Sequence, residues 1–241
     1  MTYCPTIGST NDVAARLAAR GACEGAVVMA DAQTAGRGRR GREWFSPPGS
    51  GLYVSVVLTP GRSGDDRATR LVTLAAGVAL AEAIAAATGL SVDVKWPNDL
   101  YVARRKLAGI LAEGAGGAGA EDAVVLGYGI NVGAASYPPQ LRDRATSLES
   151  ELGRSVDRAL LFAESLVALA RRYDDLLAGR FDVILDAWRA RSPGGHGARV
   201  AWTTVSGELS GTTAGIDHDG ALLVRVGDRI ERIVAGELRW L

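Results

Sequence analysis

Ala26-Val27-Val28-Met29-Ala30, followed after five residues by Gly36-Arg37-Gly38-Arg39-Arg40-Gly41-Arg42, is the stretch on which the reading of this chain turns. The apolar run reads as a strand. The loop behind it alternates arginine with glycine. Four like charges repel one another, so such a loop is poorly held when empty. An anion with several oxygens would hold it, because guanidinium groups bind phosphate and carboxylate in a forked geometry. The glycines let backbone N–H groups come close to that anion. Trp44-Phe45 and a second strand, Leu52-Tyr53-Val54-Ser55-Val56-Val57-Leu58, follow directly. The loop therefore lies between strands of a packed domain, which argues against a disordered Arg/Gly tail or a simple solvated turn.

Working outward, 241 residues suffice for one catalytic domain and a small appendage. Apolar residues make up 47% and charged residues 22%, the balance of an ordinary soluble protein. The formal net charge is zero, so the arginine loop is a local device. Neutrality argues against a general binder of nucleic acid or of membrane surfaces. The start, Met1-Thr2-Tyr3-Cys4-Pro5, lacks the basic and apolar regions of a signal peptide. Leu71 to Thr88 is apolar but contains Glu82, and reads as a core helix. Two cysteines, Cys4 and Cys23, make no disulfide framework, so a cytoplasmic location is expected.

Ahead of the loop, a helix is expected from about Asn11 to Arg20, capped by Ser9 or Thr10 and stopped by Gly21. Behind it, Arg67 to Thr88 carries apolar residues at helical spacing. Val92 to Trp96 reads as a strand ending at Pro97. Tyr101-Val102 and Leu107–Glu113 read as a hairpin joined by Ala103-Arg104-Arg105-Lys106, and Ala123 to Ile130 as another buried strand. Val132–Ala145 is a polar loop long enough for a lid. Helices follow at about Asp157–Ala178 and Phe181–Arg189. Blocks of strands and helices without a strict βαβ repeat indicate an α+β layout. Composition shifts near Arg191-Ser192-Pro193-Gly194-Gly195. Beyond it come short strands, Arg199–Trp202, Glu208–Ile216, Ala221–Val226 and Ile230–Val234, the pattern of a small β-barrel. The expected domains are 1–190 and 191–241.

Four further segments carry polar groups suited to a site. Lys95-Trp96-Pro97-Asn98-Asp99-Leu100 presents Asn98 and Asp99 at a strand end. Lys106 opens an apolar strand and can aim a charge into a cleft. Gly127-Tyr128-Gly129-Ile130-Asn131 offers close backbone approach and an amide. Ser9-Thr10-Asn11 is explained by helix capping alone, and Gln33 alone is a loop polar residue. His196 and His218 have no ligand or triad spacing. The chemistry then rests on lysine, arginine and amides, which suit positioning and charge neutralisation around phosphate.

Together these segments resemble the biotin–protein ligases. Ser-Thr-Asn, Gln33 ahead of Gly-Arg-Gly-Arg-Arg-Gly-Arg, Lys-Trp-Pro-Asn-Asp, Lys-Leu-Ala-Gly-Ile-Leu and Gly-Ile-Asn match that family in order and spacing. Gly215-Ile216-Asp217 through Gly220-Ala221-Leu222, with Gly236-Glu237, is similar to its C-terminal SH3-like domain. The resemblance covers nearly the whole chain. It implies an α+β fold, with a central mixed sheet packed by helices and a small SH3-like barrel at the C-terminus. Eight residues precede Ser9, so the helix-turn-helix domain of some members is expected to be absent and no DNA binding is expected. The chain ends Gly236-Glu237-Leu238-Arg239-Trp240-Leu241 where the family often has Gly-Glu-Ile-Ser-Leu-Arg.

The resemblance also implies a reaction. Biotin and ATP form biotinyl-5'-AMP, and the biotinyl group passes to a lysine of a biotin carboxyl carrier protein domain. Arg37, Arg39 and Lys106 would offset the repulsion between biotin's carboxylate and the α-phosphate, with Mg2+ on the phosphates. Biotin would meet Ser9, Thr10, Asn11, Gln33, Arg37, Gly38, Arg39, Lys106 and Gly109. ATP would meet Arg39, Arg40, Arg42, Trp44, Lys95, Asn98 and Asn131, with Trp44 stacked on adenine. Asp99 has only a loose place, as support or as guide for the incoming lysine. No membrane partner is implied, and pairing of sheet edges into a homodimer stays open. The competing readings are a lipoate–protein ligase, whose family lacks the Arg/Gly loop, and a non-enzymatic nucleic-acid module built from a basic loop and a barrel.

Overall fold

The computed structural model describes residues 1–116, 122–134, 137–204, 207–236 and 238–241. The first half runs β1 (Thr2–Ile7), α1 (Thr10–Ala19), β2 (Val27–Gln33), β3 (Gly51–Leu58), α2 (Arg67–Thr88), β4 (Asp93–Lys95), β5 (Asp99–Val102), β6 (Arg105–Gly114) and β7 (Val124–Asn131). There follow α3 (Pro139–Arg142), α4 (Leu148–Leu152), α5 (Arg158–Leu177) and α6 (Phe181–Arg191). The chain ends with β8 (His196–Thr204), β9 (Gly207–Ile216), β10 (Leu222–Val226), β11 (Arg229–Ile233) and β12 (Leu238–Trp240).

Strands β1 to β7 form one mixed sheet in the order β1-β2-β3-β7-β6-β5-β4. Only β1 and β2 run parallel; every other pair in it is antiparallel. The sheet is covered on both faces. On one face α1 packs Ala14 and Ala18 against Val28, Val57 and Val125. On the other, Val54, Val56 and Leu126 join the larger core with Leu71, Leu80 and Ile84 of α2. All eight residues of β3 are buried, as expected of a central strand covered on both sides. Burying each such aliphatic side chain contributes about 1.5–3 kcal/mol, so this sandwich fixes the sheet on which the polar segments sit. Helix α2 is long and apolar enough to cross a membrane by length and composition. Here it packs as a core helix along α5 and α6.

The sequence left Thr2–Ile7 unassigned, and it forms the edge strand β1. Pro5 and an exposed pattern hide the strand signal, and both are tolerated at an edge. The short helices α3 and α4 were also unread; α3 lies inside the expected lid loop 132–145, of which residues 135–136 are outside those described. The hairpin between β5 and β6 turns on only two residues, Ala103 (φ 47°) and Arg104 (φ 67°). Two successive positive φ values give the turn twist that antiparallel strands prefer. Strand β6 therefore starts at Arg105, and Lys106 sits within it rather than at the turn.

Strands β8 to β12 form the five-stranded antiparallel sheet β11-β10-β9-β8-β12, the expected SH3-like element with one more strand than the sequence indicated. Its Val200, Trp202, Leu222 and Val224 belong to the same apolar cluster as α2 and Trp188 of α6. The Trp96 indole N–H also donates to the Gly220 carbonyl at 2.9 Å. These contacts hold β12 beside the ends of β4 and β5.

Candidate active site

A cavity of about 920 Å3 opens where α1, the Arg/Gly loop, β4–β7 and the C-terminal segment meet. Ser9, Thr10, Asn11 and Gln33 line one side. Arg37, Gly38, Arg39, Arg40, Arg42 and Trp44 come from the loop, and Lys95, Asn98, Lys106, Gly109 and Asn131 from the sheet. Every residue singled out from the sequence as a site residue is thus brought to one space.

Helix capping does not account for Ser9-Thr10-Asn11, contrary to the sequence reading. Ser9 occupies the N-cap position, yet its side chain makes no capping bond. The Thr10 N–H is satisfied instead by Gln33 Oε1 at 2.8 Å, and the Gln33 amide donates on to Ser46 Oγ at 3.0 Å. Asn11, 5% exposed, accepts from Ser55 Oγ at 2.6 Å and donates to Glu113 Oε2 at 2.8 Å. A Cβ on Gly127 would collide with the Asn11 side chain, which explains a glycine in the middle of β7. Ser55 of β3, Glu113 of β6 and Ser46 of the loop before β3 give no pattern in the sequence, because each is an isolated polar residue.

Trp44 lies across the sheet glycines. A Cβ on Gly129 would run into its indole, and one on Gly109 would stand 3.0 Å from Cζ3. Its Nε1 is buried without a hydrogen-bond partner among the described residues. The loop folds back on itself through Gly38 N–H to the Arg42 carbonyl at 2.7 Å, with Arg40 in the left-handed region at φ 59°.

The cations divide into two kinds. Arg37 is committed to carboxylates: it bonds Asp12 and reaches Glu113 Oε2 at 3.0 Å, and both partners raise its pKa. Its side chain latches the loop to α1 and β6 while lining the same cavity. Arg39 is the contrary case. Burial, then the charge of Arg40, lowers its pKa, while Asp99 opposes the shift. Burial likewise pulls Lys95 down to about 8, with Lys106, Arg144 and Arg104 adding to the fall and Asp99 opposing it. Lys106 Nζ sits 2.6 Å from Asp99 Oδ1, giving Asp99 the definite place that the sequence could not. Two half-buried cations that would gain from a nearby negative charge mark this as an anion site.

The amide donors of Asn98 and Asn131 bond backbone carbonyls, Ile110 at 2.7 Å and Thr146 at 2.9 Å, so both brace the cavity floor. The end of the chain contributes more than its altered motif promised. Trp240 packs against Tyr101 at 5.4 Å between centroids and receives Lys95 over its ring at 4.5 Å and Arg104 at 5.2 Å. Gly236, Leu238 and Arg239 also line the cavity; Glu237 lies outside the described residues. Tyr101 and Trp240 were missed because single aromatics far apart in sequence give no spacing to read.

The model of the biotin/lipoate A/B protein ligase family matches residues 3–131, and that of the biotin protein ligase C-terminal domain matches residues 195–238. The bifunctional ligase/repressor BirA of Bacillus spizizenii is 36% identical over 240 residues, 99% of this chain and 73% of its own. The biotin–[acetyl-CoA-carboxylase] ligase of Paracoccus denitrificans is 36% identical over 222 residues, 90% of each chain. Among solved structures, the Aquifex aeolicus biotin protein ligase in complex with biotin and ATP superposes with a TM-score of 0.85 at 28% identity, covering 99% of this chain and 97% of that one. The chain belongs to the biotin/lipoate A/B protein ligase family. Within it the chain stands with the biotin–protein ligases, and it is an enzyme.

Proposed function

We propose that this enzyme joins biotin to AMP, releasing pyrophosphate, and then passes the biotinyl group to a lysine of a carboxyl carrier domain. The observation that carries the reading is the convergence of Arg39, Lys95 and Lys106 on one cavity, where burial lowers the pKa of Arg39 and brings that of Lys95 to about 8. Biotin's carboxylate and the α-phosphate repel each other. Cations fixed around their meeting point offset that repulsion, and attack on phosphorus is then chiefly a matter of positioning. The relative from Aquifex aeolicus, similar along its whole length, holds biotin and ATP.

On this reading the Ser9–Asn11 and Gln33 side takes biotin's ureido head, and the Gly109 strand takes its tail. Trp44 lies between biotin and adenine. Arg39 and Lys106 meet the carboxylate and α-phosphate, while Lys95, Arg40 and Arg42 face the nucleotide. Arg37 keeps the loop in place. Mg2+ would arrive on the phosphates, since the described residues contain no cluster of three carboxylate, thiol or imidazole groups to cage it. It supplies further charge neutralisation there. The acceptor amine then displaces AMP, a stabilised leaving group, while the Arg/Gly loop and the 132–145 loop keep water from the mixed anhydride. Residues 1–190 form the catalytic unit and 191–241 the SH3-like unit that closes the cavity with Trp240. The enzyme works in the cytoplasm, where carriers reside.

Incubation with biotin, Mg-ATP and a carboxyl-carrier domain, followed by mass measurement, tests the proposal. A carrier heavier by one biotinyl group supports it; an unchanged carrier beside released pyrophosphate would limit the enzyme to the first step.

A further inference from the structure

Gln33, Thr10, Ser55, Asn11 and Glu113 join in one hydrogen-bonded row that ties α1 to β2, β3 and β6. Gln33, Thr10 and Asn11 line the cavity; Ser55 and Glu113 do not. Ser55 is fully buried in β3.

A hydrogen bond has a direction, and the carboxylate end of this row fixes it. A carboxylate only accepts, so Asn11 turns its Nδ2 towards Glu113 Oε2 at 2.8 Å. The Leu111 carbonyl, 3.5 Å from the same Nδ2, calls for the same orientation. Asn11 Oδ1 is then left facing Ser55 Oγ at 2.6 Å. An amide oxygen also only accepts, so the single Ser55 hydroxyl proton goes to it. Ser55 Oγ lies 2.8 Å from Thr10 Oγ1 as well. With its own proton committed, Ser55 must accept there and Thr10 must donate. The alternative turns the Thr10 proton to Gln33 Oε1 at 3.1 Å and sets two hydroxyl lone pairs against each other at 2.8 Å. Thr10 Oγ1 therefore keeps no proton for a ligand and can only accept.

We propose that Ser55 and Glu113 are positioning residues that determine specificity: the carboxylate, acting through Asn11 and Ser55, makes Thr10 a pure acceptor that selects a substrate N–H. The inference deepens the ligase reading above and rests on it. The group that fits is one N–H of biotin's ureido ring. A ring oxygen in that place would meet lone pairs with no proton between them. A site whose polar groups are committed in this way rejects the mismatched analogue strongly.

The carboxylate supplies the sense of the row and no contact with the substrate. An amide at position 113 can offer its own N–H to Asn11 Oδ1. Asn11 then donates to Ser55 and Ser55 to Thr10, which leaves the Thr10 proton free to turn to a ligand. Removing the Ser55 hydroxyl frees the same proton. Glu113 has a second role, since it also holds Arg37 at 3.0 Å, and Asp12 shares that guanidinium. Asp12→Asn loosens the Arg37 latch without touching the row, so it separates the two roles.

The test is equilibrium binding, by calorimetry, of biotin and of its two cyclic carbamate analogues, in each of which oxygen replaces one ureido N–H. The unaltered protein should bind at least one carbamate about 10²-fold or more weakly than biotin. Glu113→Gln, which keeps the shape of the side chain, should shrink that ratio at least about tenfold, and Ser55→Ala should do the same. Asp12→Asn should leave the ratio within about twofold, because it acts on an exposed ion pair. Carbamates bound as well as biotin by the unaltered protein, a ratio that Glu113→Gln leaves unchanged, or one that Asp12→Asn shrinks as much, overturns the proposal and leaves the ligase reading standing. An unaltered protein that binds none of the three compounds removes both.

Discussion

Lys106 Nζ and Asp99 Oδ1 lie 2.6 Å apart on neighbouring strands of one hairpin, and the same ammonium faces the ring of Trp44 at 5.3 Å. The pairing fixes a cation at the cavity floor before any substrate arrives. Preorganised charge of this kind stabilises developing negative charge without reorganisation at the moment of reaction. Lys106→Ala should therefore slow adenylation about 10²–10³-fold, the usual result of losing one such donor. Biotin-dependent pyrophosphate release measures it, and a near-normal rate would remove Lys106 from the chemistry.

Arg37 is expected to behave differently. Its partners Asp12 and Glu113 are exposed to a similar degree as itself, and exposed pairs are each worth well under about 1 kcal/mol. Asp12→Asn should weaken biotin binding by no more than about fivefold, and raised salt should do the same to the unaltered protein. Calorimetric titration with biotin decides; a loss of several orders of magnitude would mean that Asp12 or Arg37 touches the substrate directly.

The fold was legible where the pattern is local and repetitive. Arg67–Thr88 is a helix over the predicted span because its apolar residues recur at helical spacing and Gly89 stops it at φ 79°. Strand β1 was not, since Pro5 and its exposed residues are explained only by a partner twenty-six residues onward. The site was legible through dense motifs such as the Arg/Gly loop and Lys95–Asp99. What the sequence withheld are pairings: Gln33 capping a helix that starts at Thr10, Arg37 spent on carboxylates, Trp240 brought back from the chain end over Lys95. Such contacts depend on tertiary geometry and leave no spacing to read.

Gly129 is a sharper test of Trp44. A methyl group there would occupy the place of the indole. Gly129→Ala should displace Trp44 and lower the rate of adenylate formation by at least about tenfold, because misplacement by about an ångström has large effects on aligned reactants. Retained β-sheet content by circular dichroism would show that the fold survives. Full activity would contradict the placement of Trp44 between biotin and adenine.

Lys95 also makes stability depend on pH. Its folded pKa, about 8, is below the unfolded value near 10.4, so between those limits the unfolded chain binds more protons and this group's contribution rises with pH. Below about pH 8 its burial as a cation costs stability in full. Lys95→Met should therefore raise the melting temperature most near pH 7, with the gain shrinking towards pH 10. A gain independent of pH would mean that Lys95 titrates as an ordinary exposed amine.

The central claim is that cations gathered in one cavity let two mutually repelling substrates meet. The direct measurement is chromatographic: purified protein is given biotin and Mg-ATP, and the nucleotides are separated and weighed. Accumulation of biotinyl-5'-AMP with an equal amount of pyrophosphate is the predicted result. Unconsumed ATP and no acyl-nucleotide would contradict the account.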